Sequence, residues 1–131
     1  MSKLKRNDII FPDVSYKIIG CAFDVYNNLG SGHIEKYYQR ALSKAFQDKG
    51  VKHFEQVYYP LYYHGTLIGK NFLDFVVEDK IVVEIKKNER YSKSNIDQVL
   101  NYLKMTNMKL AILINFGNNE VKFKRIVNIN S

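Results

Sequence analysis

The sequence predicts an α/β fold in which helices pack on a mixed β-sheet, with the elements in the order ααβββαββ. Apolar residues recur at helical spacing over residues 16–49 and again over residues 94–106. Runs rich in Val, Ile, Tyr and Phe, separated by turn residues, lie between and after these segments. The helix between the third and fourth predicted strands suits the crossover that two parallel strands require.

Two helices open the predicted domain, and we expect residues 1–15 to form an N-terminal arm and residues 16–131 a single domain. The first helix ends at Gly30 and the second at Gly50, because glycine is common just beyond helix C-termini. Glu35 lies in the first turn of the second helix, where a carboxylate interacts favourably with the helix dipole. The apolar positions predicted to face the core are Ile19, Ala22, Phe23, Tyr26 and Leu29 in the first helix and Ile34, Tyr38, Ala41, Leu42 and Ala45 in the second.

Three strands are predicted next. The first, VKHFEQVYYPLYYHG, contains Pro60, which bends a strand or marks the edge of a sheet. A turn at His64-Gly65-Thr66 leads into the second strand, TLIGKNFLDFVV. A turn centred on Asp79 leads into the third, KIVVEIKKNE, so the second and third strands form an antiparallel hairpin.

One more helix and two strands complete the predicted fold. Ser94 is the predicted N-cap of the helix. The wholly apolar run LAILINF predicts a strand buried on both faces. VKFKRIV alternates and predicts a half-exposed final strand. The apolar face of the third helix consists of Ile96, Val99, Leu100 and Leu103.

The composition restricts the classes of function. The 131 residues carry a formal charge of +7, and the sequence pI is about 9.4. A basic surface favours polyanions such as nucleic acid or anionic membrane, although surplus lysine also keeps a small protein soluble. Cys21 is the only cysteine, which excludes an intrachain disulfide and fits the reducing cytosol. The chain has no apolar leader and no run of ~20 apolar residues, so we expect a cytoplasmic protein without a membrane partner.

The hairpin over residues 72–87, FLDFVVEDKIVVEIKK, carries charges where strands usually hold apolar residues. Asp74 and Glu84 are equidistant from Asp79, which predicts a cross-strand pair with Cβ atoms ~4.5–5.5 Å apart. Lys86 lies two residues beyond Glu84 and points to the same face. Facing carboxylates repel unless a shared proton or a cation neutralises them, and their hard oxygens suit Mg²⁺ or Mn²⁺. The alternative is a pair of acids at a strand rim, neutralised by surface lysines.

Two motifs in these segments make the chain resemble the PD-(D/E)XK nuclease superfamily. Asp74 and the triplet Glu84-Ile85-Lys86, on neighbouring strands, match the motif after which the superfamily is named, with Leu73 in place of its proline. Residues 32–38, GHIEKYY, match the signature of the GxxExxY proteins, a family within it. The resemblance covers residues 16–126 and extends to the element order and to a late LINFG stretch.

This resemblance implies a restriction-endonuclease-like core and a nuclease that hydrolyses phosphodiester bonds of nucleic acid with Mg²⁺ or Mn²⁺. DNA is the favoured substrate, and the sequence leaves the choice between DNA and RNA open. Lys86 would position or activate the attacking water. Gln98 and Tyr102 form a QxxxY pattern like that of related nucleases, in which the glutamine lies near the active site. Gln98 also projects away from the apolar stripe of its helix, so a solvated glutamine is the alternative. The implied metal ligands are the carboxylates of Asp74 and Glu84 and the carbonyl of Ile85, with Glu35 as a further ligand or a neighbouring group.

Basic residues near the predicted site are candidates for holding the nucleic-acid backbone, and a tyrosine among them can stack on a base or sugar. The alternative for the run KKNERYSK is a solvated loop. A chain of this size has little surface for wrapping a duplex, which makes a homodimer plausible. The alternatives to an enzyme are a catalytically inactive nuclease-fold module that binds nucleic acid or protein, and a structural protein whose acids only form ion pairs. The predicted contact residues are Lys36, Arg40, Lys87, Arg90, Tyr91 and Lys93.

Overall fold

A computed structural model describes residues 10–88 and 92–128. The fold is the predicted α/β arrangement, a five-stranded mixed sheet with flanking helices in the order ααβββαββ. Within the described ranges, no helix is both long and apolar enough to span a bilayer. The helices are α1 (Pro12–Leu29), α2 (Glu35–Asp48) and α3 (Lys93–Thr106). The strands are β1 (His53–Tyr63), β2 (Thr66–Val77), β3 (Ile81–Lys86), β4 (Leu110–Phe116) and β5 (Val121–Val127).

The strands follow one another across the sheet in the order β1-β2-β3-β4-β5. β3 and β4 are parallel and are connected through α3, which confirms the predicted crossover, and the other neighbours pair antiparallel. β1 is an edge strand, and Pro60 fits there because proline, which cannot donate to a ladder, is confined within sheets to edge strands, strand starts and bulges. In the β2–β3 hairpin, Val77 pairs with Ile81, so the register is centred on Asp79 as predicted.

Helices cover both faces of the sheet. α1 and α2 enclose one core, in which Tyr38 is fully buried and donates a 2.6 Å hydrogen bond to the carbonyl of Gly30. α3 encloses a second core on the opposite face, around Val82 and Leu103. Every residue of β4 is buried, as its apolar run predicts, because this strand lies beneath both layers. β5 alternates between buried and accessible positions, as predicted.

The buried face of α1 differs from the predicted one by part of a turn. Phe23 and Leu29, predicted to face the core, are 46% and 39% exposed. Apolar residues occur side by side in this helix, so periodicity alone fits more than one stripe and cannot choose between them. In α2, Ile34 is exposed as the N-cap, and Phe46 takes a core position that was not predicted. The buried residues of α1 are Ser15, Ile18, Cys21, Ala22 and Val25.

Two helix starts also differ from the predictions. α1 begins at Pro12, so residues 12–15 lie in a helix and not in an arm; proline suits the first turn because its missing N–H has no helical partner there. α3 is capped by Ser92 and not by Ser94. The Ser92 hydroxyl accepts from the backbone N–H of Asn95 at 3.1 Å, and the Asn95 side chain accepts from the Ser92 N–H at 3.2 Å. This reciprocal pair satisfies two donors that a helix start leaves unpaired.

Candidate active site

Asp74 and Glu84 meet where β2 and β3 cease to pair as an ordinary ladder. They are the next positions in register after the Phe75–Val83 pair. The backbone N–H of Asp74 donates to Oε2 of Glu84 at 2.6 Å, and the backbone N–H of Ile85 donates to Oδ2 of Asp74 at 2.9 Å. Each carboxylate therefore accepts a hydrogen bond from the opposite strand. The two predicted acids come together, but through backbone amides and not as a simple cross-strand pair.

Gln56, on the neighbouring strand β1, holds the other oxygen of Asp74. Its Nε2 donates to Oδ1 of Asp74 at 3.2 Å and to Oε1 of Gln39 on α2 at 2.8 Å. The φ angle of Gln56 is 46°, in the left-handed region, and the β1–β2 ladder skips the Gln56–Asp74 position. Leu73 and Phe75 belong to cores on opposite faces of the sheet, so the side-chain alternation breaks at Asp74. This irregularity turns Asp74 into the space between its two neighbouring strands, as bulges near functional sites do.

Burial dominates the electrostatics of Glu84, which is only 3% exposed. This burial, followed by the charge of Asp74, raises the pKa of Glu84 to about 8. The Asp74 N–H and the ammonium group of Lys86 act in the opposite direction but are weaker. At neutral pH the Glu84 carboxyl therefore retains a proton unless a cation stabilises its charged form.

The charge of Lys86 acts on both Asp74 and Glu35. Burial raises the pKa of Asp74, and the hydrogen bonds from Ile85 and Gln56 and the charge of Lys86 oppose this shift. Desolvation also raises the pKa of Glu35, which the charge of Lys86 lowers and that of Asp74 raises. Glu35 remains solvent-exposed at the start of α2. Glu35 and Lys86 therefore lie within electrostatic reach of the carboxylate pair.

The donor set fits a hard divalent cation. Asp74 and Glu84 offer carboxylate oxygens from adjacent strands, and a cation would reverse the upward shifts of both pKa values. Among the described residues, no group of three or more His, Cys, Asp or Glu side chains forms a metal-binding cluster, so Glu35 does not complete a cage. Two carboxylates are enough for Mg²⁺, which keeps several waters and binds substrate phosphates as well. Ile85 contacts this pair through its backbone N–H, which donates to Asp74. The role of its carbonyl as a metal ligand stays a prediction.

Most of the chain matches the model of a known protein family. The profile of the PD-(D/E)XK nuclease superfamily matches residues 12–126. The chain belongs to this superfamily. The crystal structure of SSO0001 matches it with a TM-score of 0.53 at 18% identity, covering 71% of this chain and 49% of that one, so the two share a fold. The chain spans about half the length of SSO0001. No curated protein matches the sequence.

In this PD-(D/E)XK domain, α3 approaches the carboxylates through Tyr102. Tyr102 is 6% exposed, and burial, followed by the charges of Glu84 and Asp74, raises the pKa of its hydroxyl. Gln98 lies one turn earlier, partly buried, and lines a cleft together with Tyr102. Gln98 is therefore not fully solvated, and within the described residues it forms no hydrogen bond with either acid.

The predicted nucleic-acid contacts of the PD-(D/E)XK domain differ in their surroundings. Lys87 lies near the site, since its charge lowers the pKa of Glu35. The remaining residues lie on α2 or follow β3 in the sequence. Lys36 and Arg40 are exposed on α2, Lys93 pairs with Asp97 at 3.3 Å, and Arg90 and Tyr91 lie outside the described residues.

Sequence reasoning missed Gln56. Counting outward from the pair of Tyr63 with Thr66 places Glu55 opposite Asp74. A register shift between Leu61 and Tyr62 moves the pairing by one residue, which brings Gln56 to that position. A one-residue shift of this kind leaves no mark in the hydrophobic pattern of an edge strand whose outer half is exposed.

Sequence reasoning also missed Gln39, although a signal was present. Gln39 follows Glu35 by four residues and therefore lies on the same face of α2. Besides accepting from Gln56, it donates to Oε1 of Glu55 at 3.4 Å. Gln39 thereby connects α2 to the strand that supports Asp74.

Proposed function

We propose that this protein is a metal-dependent nuclease of the GxxExxY branch that hydrolyses phosphodiester bonds of nucleic acid, with DNA as the favoured substrate. One observation carries the proposal. Asp74 and Glu84 accept hydrogen bonds of 2.9 and 2.6 Å from opposite strands, and Lys86 acts electrostatically on both. Membership of the nuclease superfamily supports the reaction class.

Mg²⁺ or Mn²⁺ is the proposed cofactor, with Asp74 and Glu84 as the residues that would hold it. A cation there supplies Lewis-acid polarisation of a phosphodiester oxygen and makes a water molecule more acidic. The protein contributes orientation, because Ile85 and Gln56 each fix one oxygen of Asp74. Ligands held in place before the cation arrives lose little conformational freedom on binding it.

Lys86 is the proposed electrostatic partner of the reacting phosphate. Its ammonium lowers the pKa values of Glu35, Asp74 and Glu84, so its positive charge lies within electrostatic range of all three carboxyl groups. In this position it can orient the attacking water and stabilise the negative charge that develops on the phosphoryl oxygens. Glu35 is exposed and would act from the solvent side, on the water or on the outer hydration of the cation.

The nucleic-acid backbone would lie along the surface that holds Lys36, Arg40 and Lys87. Lys87 acts on Glu35 electrostatically, and the other two residues are exposed on the same helix as Glu35. A formal charge of +7 supports attraction to a polyanion. A homodimer would extend this surface along a duplex.

Cleavage of DNA and RNA, with Mg²⁺ or with a chelator, tests the proposal by comparing the wild type with Lys86→Ala. We expect Mg²⁺-dependent cleavage that falls at least about 100-fold in the variant, because an interaction made in the transition state is lost. Lys109→Ala is the matched control: this exposed lysine precedes β4, at the opposite end of the sheet from Lys86, and should leave cleavage intact. A wild type that binds nucleic acid and cuts neither substrate would instead be an inactive binding module.

A further inference from the structure

A cleft of about 640 Å³ lies between α3 and the outer half of the β1–β2 hairpin. On the hairpin side the cleft is lined by Leu61 and Asn71, and on the α3 side its lining includes Gln98 and Tyr102. Tyr102 belongs to the same core cluster as Leu73, the residue before Asp74, and its hydroxyl lies within electrostatic range of Glu84 and Asp74, so the cleft lies close to the carboxylate pair. Its volume falls within the usual range for small-molecule sites, about 300–1,000 Å³.

Carboxamides from Asn71, Gln98 and Asn101 contribute to the polar part of this cleft, together with the hydroxyl of Ser94 and the charged groups of Asp97 and Lys104. Each carboxamide presents a donor and an acceptor side by side, the pattern that matches the edges of nucleobases. The Nδ2 of Asn71 donates to the carbonyl of Tyr59 at 3.2 Å and lies 3.6 Å from the sulfur of Met105. Its Oδ1 takes part in neither contact and would be able to accept a hydrogen bond from a ligand.

The rest of the lining is apolar or balanced in charge. Leu61, Tyr102 and Met105 provide apolar surface, and thioethers contact aromatic rings favourably. Asp97 and Lys104 are the charged residues of the lining, one of each sign, and Asp97 also pairs with Lys93 at 3.3 Å. A neutral lining rich in amides suits an uncharged heteroaromatic ring better than a phosphate group.

We propose that this cleft binds a nucleobase of the strand being cut, next to the phosphodiester bond at the carboxylate pair. This inference rests on the proposed nuclease function. A base can enter a cleft between a helix and a hairpin only after it leaves the duplex stack, which favours single-stranded or frayed substrates. Carboxamides would read the edge of the base while the apolar residues pack on its faces.

Binding in a chelator, where metal-dependent cleavage does not occur, tests the cleft by itself. The probe is single-stranded oligothymidylate of about ten nucleotides, compared by fluorescence anisotropy with an oligonucleotide of equal length whose residues are all abasic. We expect the base-containing strand to bind about tenfold more tightly, since one stacked base contributes on that scale. Equal affinities for the two strands would overturn the proposal.

Two tryptophan variants locate the effect. Asn101 is exposed on α3 within the cleft, and Asn101→Trp should fill it and remove the preference for the base-containing strand. Asn27 is exposed on α1, on the other face of the sheet, and Asn27→Trp should retain the preference. A preference that survives Asn101→Trp overturns the assignment to this cleft. The proposal is also overturned if free thymidine monophosphate competes as effectively as the strand does. That result would indicate a free nucleotide as the ligand.

The outcome for the cleft is separable from the outcome for the nuclease. Mg²⁺-dependent cleavage together with base-independent binding overturns the cleft proposal and supports the nuclease. Base-dependent binding that Asn101→Trp removes, without cleavage in any metal, supports the cleft and overturns the nuclease.

Discussion

Glu84 shows how a single buried residue sets the chemistry of the candidate site. Its sequence position predicts a charged partner for Asp74, but the structure buries it so deeply that the neutral carboxylic acid is favoured at neutral pH. No sequence pattern reports this burial, because it results from the packing of α3 on one face of the sheet and α2 on the other. The acid is therefore ready to exchange a proton for a cation.

Stability of the metal-free protein should fall as pH rises. The pKa of Glu84 is about 8 in the folded state, whereas an unfolded glutamate has a pKa of about 4.3. The group therefore contributes stability that is fully present below about pH 4 and is lost as pH rises through about 8. The pKa of Asp74 is also raised, so it acts in the same direction. Urea unfolding between about pH 5 and 9 measures this effect.

Glu84→Gln is the control for this pH dependence, because it keeps the size of the side chain and removes its titration. The variant should unfold with a flatter pH dependence than the wild type in the absence of divalent cations. An identical pH dependence in both proteins would contradict the assigned burial of this acid.

Gln56 should affect metal binding by holding Asp74 in position. Two substitutions of Gln56 separate this effect from the effect of its backbone conformation on stability. At a φ of 46°, Gln56→Gly should be more stable than Gln56→Ala by about 1 kcal/mol, because glycine alone adopts this conformation without strain. Both variants lose the amide that fixes Asp74, so both should need more Mn²⁺ for half-maximal thermal stabilisation. Urea unfolding and Mn²⁺-dependent melting give the two readouts. An unchanged Mn²⁺ requirement in both variants rules out a positioning role for Gln56.

At the scale of elements, the start of α3 offers a direct comparison between prediction and structure. Ser92→Ala removes the capping hydroxyl and should lower the free energy of unfolding by about 1 kcal/mol. Ser94→Ala, at the position predicted from the sequence, should change it by less than about 0.5 kcal/mol. Chemical denaturation of both variants decides between the two caps. A larger loss in Ser94→Ala would contradict the capping geometry.

The order and register of the elements were predictable, whereas details that depend on contacts between elements were not. The turn at Asp79 fixes the register of the β2–β3 hairpin, so counting from it places Asp74 and Glu84 correctly. The register shift in β1 and the rotation of the buried face of α1 are absent from the hydrophobic pattern. Apolar residues lie side by side in α1, so more than one face of the helix could be buried. The outer part of β1 is exposed, so more than one register fits its sequence. Only tertiary packing selects one arrangement in each case.

At the scale of the whole molecule, charge and fold together point to a nucleic-acid substrate. The formal charge of +7 predicts long-range attraction, and the superfamily fold places the carboxylates at the diverging ends of β2 and β3. The sequence motifs were sufficient to identify these acids. The motifs could not predict that Ile85 and Gln56 hold Asp74, or that Gln39 holds Gln56, because these contacts join four separate elements.

Opposite ends of α2 should contribute differently to nucleic-acid binding. Lys36 lies beside Glu35 at the N-terminal end, whereas Lys49 follows the C-terminal end, and both are exposed. Binding to a single strand weakens as salt is added, and the slope of log K against log salt concentration measures this effect. Lys36→Ala should make that slope about 0.7 less steep. Lys49→Ala should leave the slope unchanged. Equal slopes for the wild type, Lys36→Ala and Lys49→Ala would place the nucleic-acid backbone away from the Lys36 end of α2.

Anomalous diffraction from Mn²⁺-soaked crystals above pH 8 tests the central claim most directly, because Glu84 then gives up its proton readily. We expect a Mn²⁺ peak within about 2.5 Å of a carboxylate oxygen of both Asp74 and Glu84. We also expect that peak to be absent from Asp74→Ala crystals. Saturating Mn²⁺ with no peak between these two acids in the wild type would contradict the account.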